Sequence, residues 1–394
     1  MRQPRSIFVA LIVGVAFGAL AQDESHLTRQ GAYWVRTVRG TVNRSPLQKF
    51  HAETVGNVAL QGESGDSAVY TLTARVKARD ERDAQALLAG IEVQSGTAGD
   101  RGYLMVRRGD LNGQPNGVDL ELSISVPRAL REVLIRTRGG SVRAVDLDGA
   151  LEARSGGGDM QVDKVRGTAD IRTGGGDIQV GTVAGALRCF SGGGKIQVQN
   201  AGGESWFETG GGEIVVHQAM APVHASAAGG NIRIDRAASS VFVSTAGGLI
   251  DVGQANGAVT AESSGGAIQV NGANGVRCDS AGGAIRLRSI AGALNASTNA
   301  GSILAELTGG RPIQDSLLST RAGDVTVLIP SNFPVTVVAR NGTAGRIISD
   351  FPEIRVRAAS QAGGMPVAAE GALNGGGPVL RINVMGGAIY LRRK

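Results

Sequence analysis

Aromatic residues are scarce in this 394-residue chain, at 4% of the total. Two cysteines, four histidines and 11 prolines are equally thin for its length. So few aromatic rings exclude a thick aromatic core and leave a thin one of Val, Ile, Leu and Ala. The cysteines, Cys189 and Cys278, lie five repeats apart in the pattern described below. That is on the order of 24 Å at about 4.8 Å per strand step. A disulfide needs Cα atoms within about 7 Å, so both should be buried free thiols. His26, His51, His217 and His224 show no ligand spacing, so no metal or other cofactor is expected. The phosphate-loop pattern G-x-x-x-x-G-K-[ST] is absent. A basic stripe is absent too: the net charge is +6, with both signs mixed along the chain, which gives no nucleic-acid footprint.

No long apolar run follows the first 21 residues. Those residues read as a secretory signal: Arg2 and Arg5, an apolar stretch from Ile7 to Gly18, and the small-x-small site Ala19-Leu20-Ala21. The mature chain should begin near Gln22, with no integral membrane span after cleavage and a place in the periplasm, on the outer surface or outside the cell. No Cys follows the cleavage site to carry a lipid.

Glycine, in contrast, is abundant, at 61 residues. Aligned on glycine clusters, the chain shows a motif G-G-x-Φ-x-Φ, with Φ apolar. The residue after the glycines falls at Ser141, Asp159, Asp177, Lys195, Glu213, Asn231, Leu249, Ala267, Ala284 and Ser302, every step being 18 except one of 17. The first apolar series runs Val142, Met160, Ile178, Ile196, Ile214, Ile232, Ile250, Ile268, Ile285, Ile303. The second runs Ala144, Val162, Val180, Val198, Val216, Ile234, Val252, Val270, Leu287, Ala305. The residue between them is mostly polar, so each motif is a strand with one buried face. The other half of each repeat alternates likewise, through Leu151, Ala169, Leu187 and Val223 and, two residues on, Ala153, Ile171, Cys189 and Ala225, with Phe207 in the same second series.

Two short strands per 18-residue coil, stacked in register, make an all-β fold: a single-stranded parallel β-solenoid, or β-helix. The glycines mark its corners, where a tight turn favours φ values that Gly adopts cheaply. The expected domains are the signal at 1–21, a strand-rich N-terminal cap at 22–138, the solenoid at 139–308, and a repeat remnant with an irregular β cap at 309–394. The N-terminal cap should hold strands near Val69 to Val76 and Val118 to Val126 and one short helix from Asp80 to Leu88. In the C-terminal cap, Asp324-Val325-Thr326-Val327 restarts the period once. Residues 361–378 read as a Gly- and Ala-rich loop before closing strands Val379 to Val384 and Ala388 to Leu391.

Several features together resemble the putative-adhesin family of bacterial β-strand-repeat cell-envelope proteins. They are the alternating G-G-x-I-x-V and G-x-V-x-A strands, the signal, Val126-Pro127-Arg128 opening the repeats, and the closing Gly386-Gly387-Ala388-Ile389-Tyr390-Leu391. The resemblance implies the same fold and a cell-surface role. It brings no catalytic residue.

Three functional readings follow. The first is a non-catalytic envelope scaffold that contacts a protein or glycan surface through its sheet faces. The second is a carbohydrate-active β-helix enzyme, for which Glu152 and Asp170 on one outward column are the candidate carboxylates; Arg154 and Arg172 beside them suggest plain charge pairs instead. The third is an envelope-stress accessory with a membrane partner. A calcium ladder would need oxygen ligands in every turn, but the column through Asp159 and Asp177 becomes Lys195, Leu249 and Ala267. The candidate contact patch is aromatic: Trp206, His224 and Phe242 take one outward position in successive coils, and Phe190 also points outward in the coil before.

Overall fold

A computed structural model describes residues 27–43, 46–109, 117–342, 345–357 and 367–394. The signal segment, Gln22 and His26 lie outside these residues. The chain is all-β apart from one helix, Glu81–Leu88, whose N-cap Asp80 accepts a hydrogen bond from the Asp83 backbone N–H. Strands alternate between two long sheets of 18 strands each. In the central stack, each coil sends its G-G-x-Φ strand, such as Ile178–Val183, to the first sheet. Its other strand, such as Leu187–Ser191, goes to the second. Neighbouring coils pair in parallel and in register, Ile178 beside Ile196 and Cys189 beside Phe207.

The predicted inward positions are buried, and the first-sheet strands bury a third column as well. It runs Leu147, Val165, Val183, Ala201, Ala219, Ala237 and Ala255. At roughly 25 cal/mol per Å2 of apolar area, stacking these rows is the main stabilising term, and one coil alone buries too little to fold. Packing adjusts locally. Phe207, 2% exposed, points inward between Cys189 and Ala225, and Ser205 replaces an aliphatic residue two positions before it. Small neighbours make the volume for the large ring.

The corner glycines act for a different reason from the one their turns suggest. Gly158, Gly176 and Gly194 lie outside the left-handed region. A Cβ built on Gly176 would meet the Gly158 carbonyl oxygen at 2.3 Å, and one on Gly194 would meet that of Gly176 at 2.1 Å. Stacked backbones leave no room for a side chain at this column. The middle glycines Gly157, Gly175 and Gly193 would meet nothing within 4 Å.

A buried hydroxyl closes the same corner. The Thr173 hydroxyl donates to the Gly158 carbonyl at 2.8 Å and accepts from the Gly176 N–H at 3.3 Å, so it ties one coil to the last. Ser191 repeats this with Gly176 and Gly194 at 2.8 and 2.9 Å. At one coil the series is broken by Ala227. The carboxyls of Asp159 and Asp177 accept the backbone N–H of the equivalent residue one coil on, at 2.9 and 2.7 Å. That bond accounts for acidic residues at those corners without a metal.

Both sheets continue beyond residues 139–308. The strands Lys49–Thr54 and Asn57–Glu63 form a coil of their own, paired in parallel on one side with Glu132–Thr137 and Val142–Leu147. On its other side it pairs with Arg101–Arg108 and Val118–Pro127. The coil first in sequence therefore lies between two later ones. Antiparallel strands Tyr33–Asn43, Ser67–Val76 and Ile91–Ala98 cover the end. The C-terminal end mirrors this. The restart predicted near Asp324 is a full coil, Ser316–Ala322 and Val325–Ile329. The last strands, Val379–Gly386 and Ala388–Arg393, insert between that coil and Val335–Asn341 with Arg346–Ser349. The span read as a loop at 361–378 contains a strand instead, Val367–Leu373, antiparallel to Val335–Asn341. Its Ala and Gly content hid an alternation that needs that neighbour.

Candidate functional site

The outward face of the second sheet carries the least ordinary chemistry among the described residues. In-register stacking puts residues 18 apart about 4.8 Å from each other along a column. One column reads Glu152, Asp170, Arg188, Trp206, His224, Phe242, Thr260. Trp206 and His224 have ring centroids 5.4 Å apart at 7°, and His224 and Phe242 lie 4.8 Å apart at 6°. The Arg188 guanidinium sits 4.9 Å over the Trp206 ring. Arg188, Trp206, His224 and Phe242 thus form one continuous π-stack. Glu204 Oε1 is 3.5 Å from His224 Nε2.

Phe190 is outward and 41% exposed, as is Phe242. It belongs to the adjacent column, however, aligned with Arg172 before it and Glu208 after it. That second column continues Ser226, Ser244, Glu262, Asp279, Ser297. Because Ser226 and Ser244 are short, a groove of about 470 Å3 opens between the columns, with Phe190, Trp206, His224 and Phe242 all on its walls. The four residues read from sequence line one groove, although their rings do not share one column. The residues overlooked in sequence, Glu208, Ser226, Ser244 and Glu262, follow from the same 18-residue step counted outward from Phe190.

The stack decides what the wall presents. Near-parallel rings cover both faces of His224, and Arg188 covers the outer face of Trp206. Ring edges face the groove. Within the stack, an open aromatic face for a sugar ring is left only at Phe242.

The carboxylates proposed for catalysis are engaged. Both oxygens of Asp170 accept from the Arg172 guanidinium, at 2.8 and 3.0 Å, and Glu152 is 3.0 Å from Arg154. These are the charge pairs of a solvated face, with Arg172 held above its usual range by its hydrogen bonds to Asp170. Cys189 beneath the groove is buried, and burial pushes its thiol well above its ordinary range; Cys278 is pushed up to about 12 for the same reason. Neither thiol is a reactive group. On the opposite sheet, Asp235 bridges His217 Nδ1 and Arg233 Nε, each at 2.7 Å. No helix among the described residues is long and apolar enough to cross a membrane.

No family model and no curated protein sequence matches the chain. Among solved structures it is similar to a putative adhesin of Bacteroides fragilis, at 14% identity and a TM-score of 0.31, over 62% of this chain and 96% of that one. A putative adhesin of Parabacteroides distasonis is similar at 12% identity and a TM-score of 0.34, over 63% and 96%. A putative cell adhesion protein of Clostridium sporogenes covers 91% of this chain and all of its own at 10% identity, with a TM-score of 0.18. The chain is thus similar to several bacterial proteins that bear an adhesin name.

Proposed function

We propose that this chain is a non-catalytic, exported scaffold of the cell envelope that contacts a protein or glycan surface through the outer face of its second sheet. The observation that supports this reading is the exposed π-stack Arg188, Trp206, His224 and Phe242 beside Phe190. Aromatic surface held rigid by its neighbours binds with little loss of side-chain freedom, and exposed apolar patches of this kind mark contact sites. A solenoid repeats such a face over a long, flat span. Asp170, the carboxylate read from sequence for a carbohydrate-active enzyme, has both oxygens committed to Arg172, which leaves it poorly placed to exchange protons with a substrate.

The test is binding of the purified chain to arrays of glycans and immobilised matrix proteins. The Trp206→Ala plus Phe242→Ala variant should lose at least tenfold in affinity, on the order of the loss expected when interface aromatics are truncated. Unchanged binding would remove the groove from the contact surface.

A further inference from the structure

The groove has a charge of its own. Beyond Arg172, which is paired with Asp170, and Phe190, its outer column runs Glu208, Ser226, Ser244 and Glu262, only acidic and hydroxyl side chains, and Asp279 and Ser297 continue it past the groove. Asp279 pairs with Arg277 at 3.2 Å. Glu208 and Glu262 are exposed and, among the described residues, have no cation within ion-pairing distance. They stand three coils apart, roughly 14 Å, on either side of the serine pair. Ser226 and Ser244 hydrogen-bond each other at 3.2 Å and keep further acceptor capacity.

The opposite wall is the π-stack, which offers ring edges and carries Arg188 at its far end. Outward columns on one strand are about 7 Å apart, narrower than the 10–12 Å diameter of a helix with its side chains. The groove therefore admits a single extended chain. An extended peptide places side chains i, i+2 and i+4 on one face, and i to i+4 spans about 13 Å. Lys or Arg stems would pack along the aromatic edges while their charged heads reach the carboxylates.

We infer that the occupant is an extended basic peptide segment of a partner protein, lying along the solenoid axis with two cationic side chains four residues apart, one on Glu208 and one on Glu262. This rests on the reading of the same face as a contact surface. The segment between the cations meets Ser226, Ser244 and His224, with an apolar side chain at its centre.

The test uses the Trp34→Phe chain, which leaves Trp206 as its single tryptophan reporter, with the labelled peptide acetyl-TKTLTKT-amide followed by anisotropy and by Trp206 emission. Saturable binding that perturbs Trp206 is expected, weakened about tenfold by Glu208→Gln plus Glu262→Gln, two surface changes that leave the core untouched. An isomer with adjacent lysines should bind about tenfold more weakly, and the glutamate counterpart should not bind. Equal affinity for the isomer, or an unchanged affinity in the double glutamine variant, overturns the inference. If Trp206→Ala plus Phe242→Ala still abolishes binding to glycans or matrix proteins in that case, the contact surface stands and only the peptide assignment falls. If that variant changes nothing on any probe, both fall.

Discussion

At the scale of single residues, the corner glycines show why identity matters more than conformation here. Gly176 and Gly175 are neighbours in one triplet, yet only Gly176 faces a carbonyl oxygen of the previous coil. Gly176→Ala should destabilise by about 2–3 kcal/mol, the usual range for forcing an atom into packed surroundings, because the obstacle is backbone and cannot swing away. Gly175→Ala should be neutral or stabilising by up to about 1 kcal/mol through the unfolded chain. Chemical denaturation of the two variants compares them directly, and equal losses would return the glycines to a purely conformational role. The 18-residue spacing made these positions legible as corners. It could not reveal the stacking contact, because a period along the chain says nothing about how closely one backbone passes over the next. Phe190 makes the same point. Its outward direction was readable from alternation, whereas its column depends on the register, which lies two residues from that of Trp206.

At the scale of the element, most corner hydroxyls, Thr173, Ser191, Thr209 and Thr245 among them, span two coils, so the column acts as a seam rather than as separate caps. Its gap at Ala227 is a natural experiment. By the offsets seen at Thr173, a hydroxyl there would donate to the Gly212 carbonyl and accept from the Gly230 N–H. Ala227→Ser should therefore raise stability by about 1 kcal/mol, measured as a shift in denaturant midpoint with unchanged slope. No gain would mean that water already serves those groups. The third inward column, Leu147 to Ala255, was written in the sequence at the same step as the first two. It escapes a period-2 reading because it follows Val162 and Val180 by three residues, where the strand turns its face.

At the scale of the whole molecule, repeat reading yielded the central stack and missed the order of the ends. Lys49–Thr54 carries the same alternation as its neighbours, but nothing local says that it pairs with residues 101–108 on one side and 132–137 on the other. Contacts of high sequence separation set that order. The arrangement sets a half-buried His51 between Tyr103 and Leu134, with Glu53, Arg136, Arg101 and Glu152 around it and its buried Nε2 without a hydrogen-bond partner among the described residues. Burial is the chief cause that lowers its pKa from 6.5. A depressed histidine favours folding when neutral, so its contribution is complete above about pH 6.5 and is lost as pH falls toward the folded value. Thermal melts at pH 7 and 5 should show a drop that His51→Gln reduces; an identical drop in the variant would place the acid sensitivity elsewhere.

The interleaved ends also bear on load. In a solenoid stacked strictly in chain order, tension on a terminus peels an outermost strand and breaks one ladder at a time. Here the strands that end at Arg393 are flanked on both edges, by Val325–Ile329 and Arg346–Ser349 in the first sheet. A pull arriving through residue 394 meets two ladders at once, so the molecule resists unravelling as a dovetail joint does, by geometry in addition to the strength of any single contact.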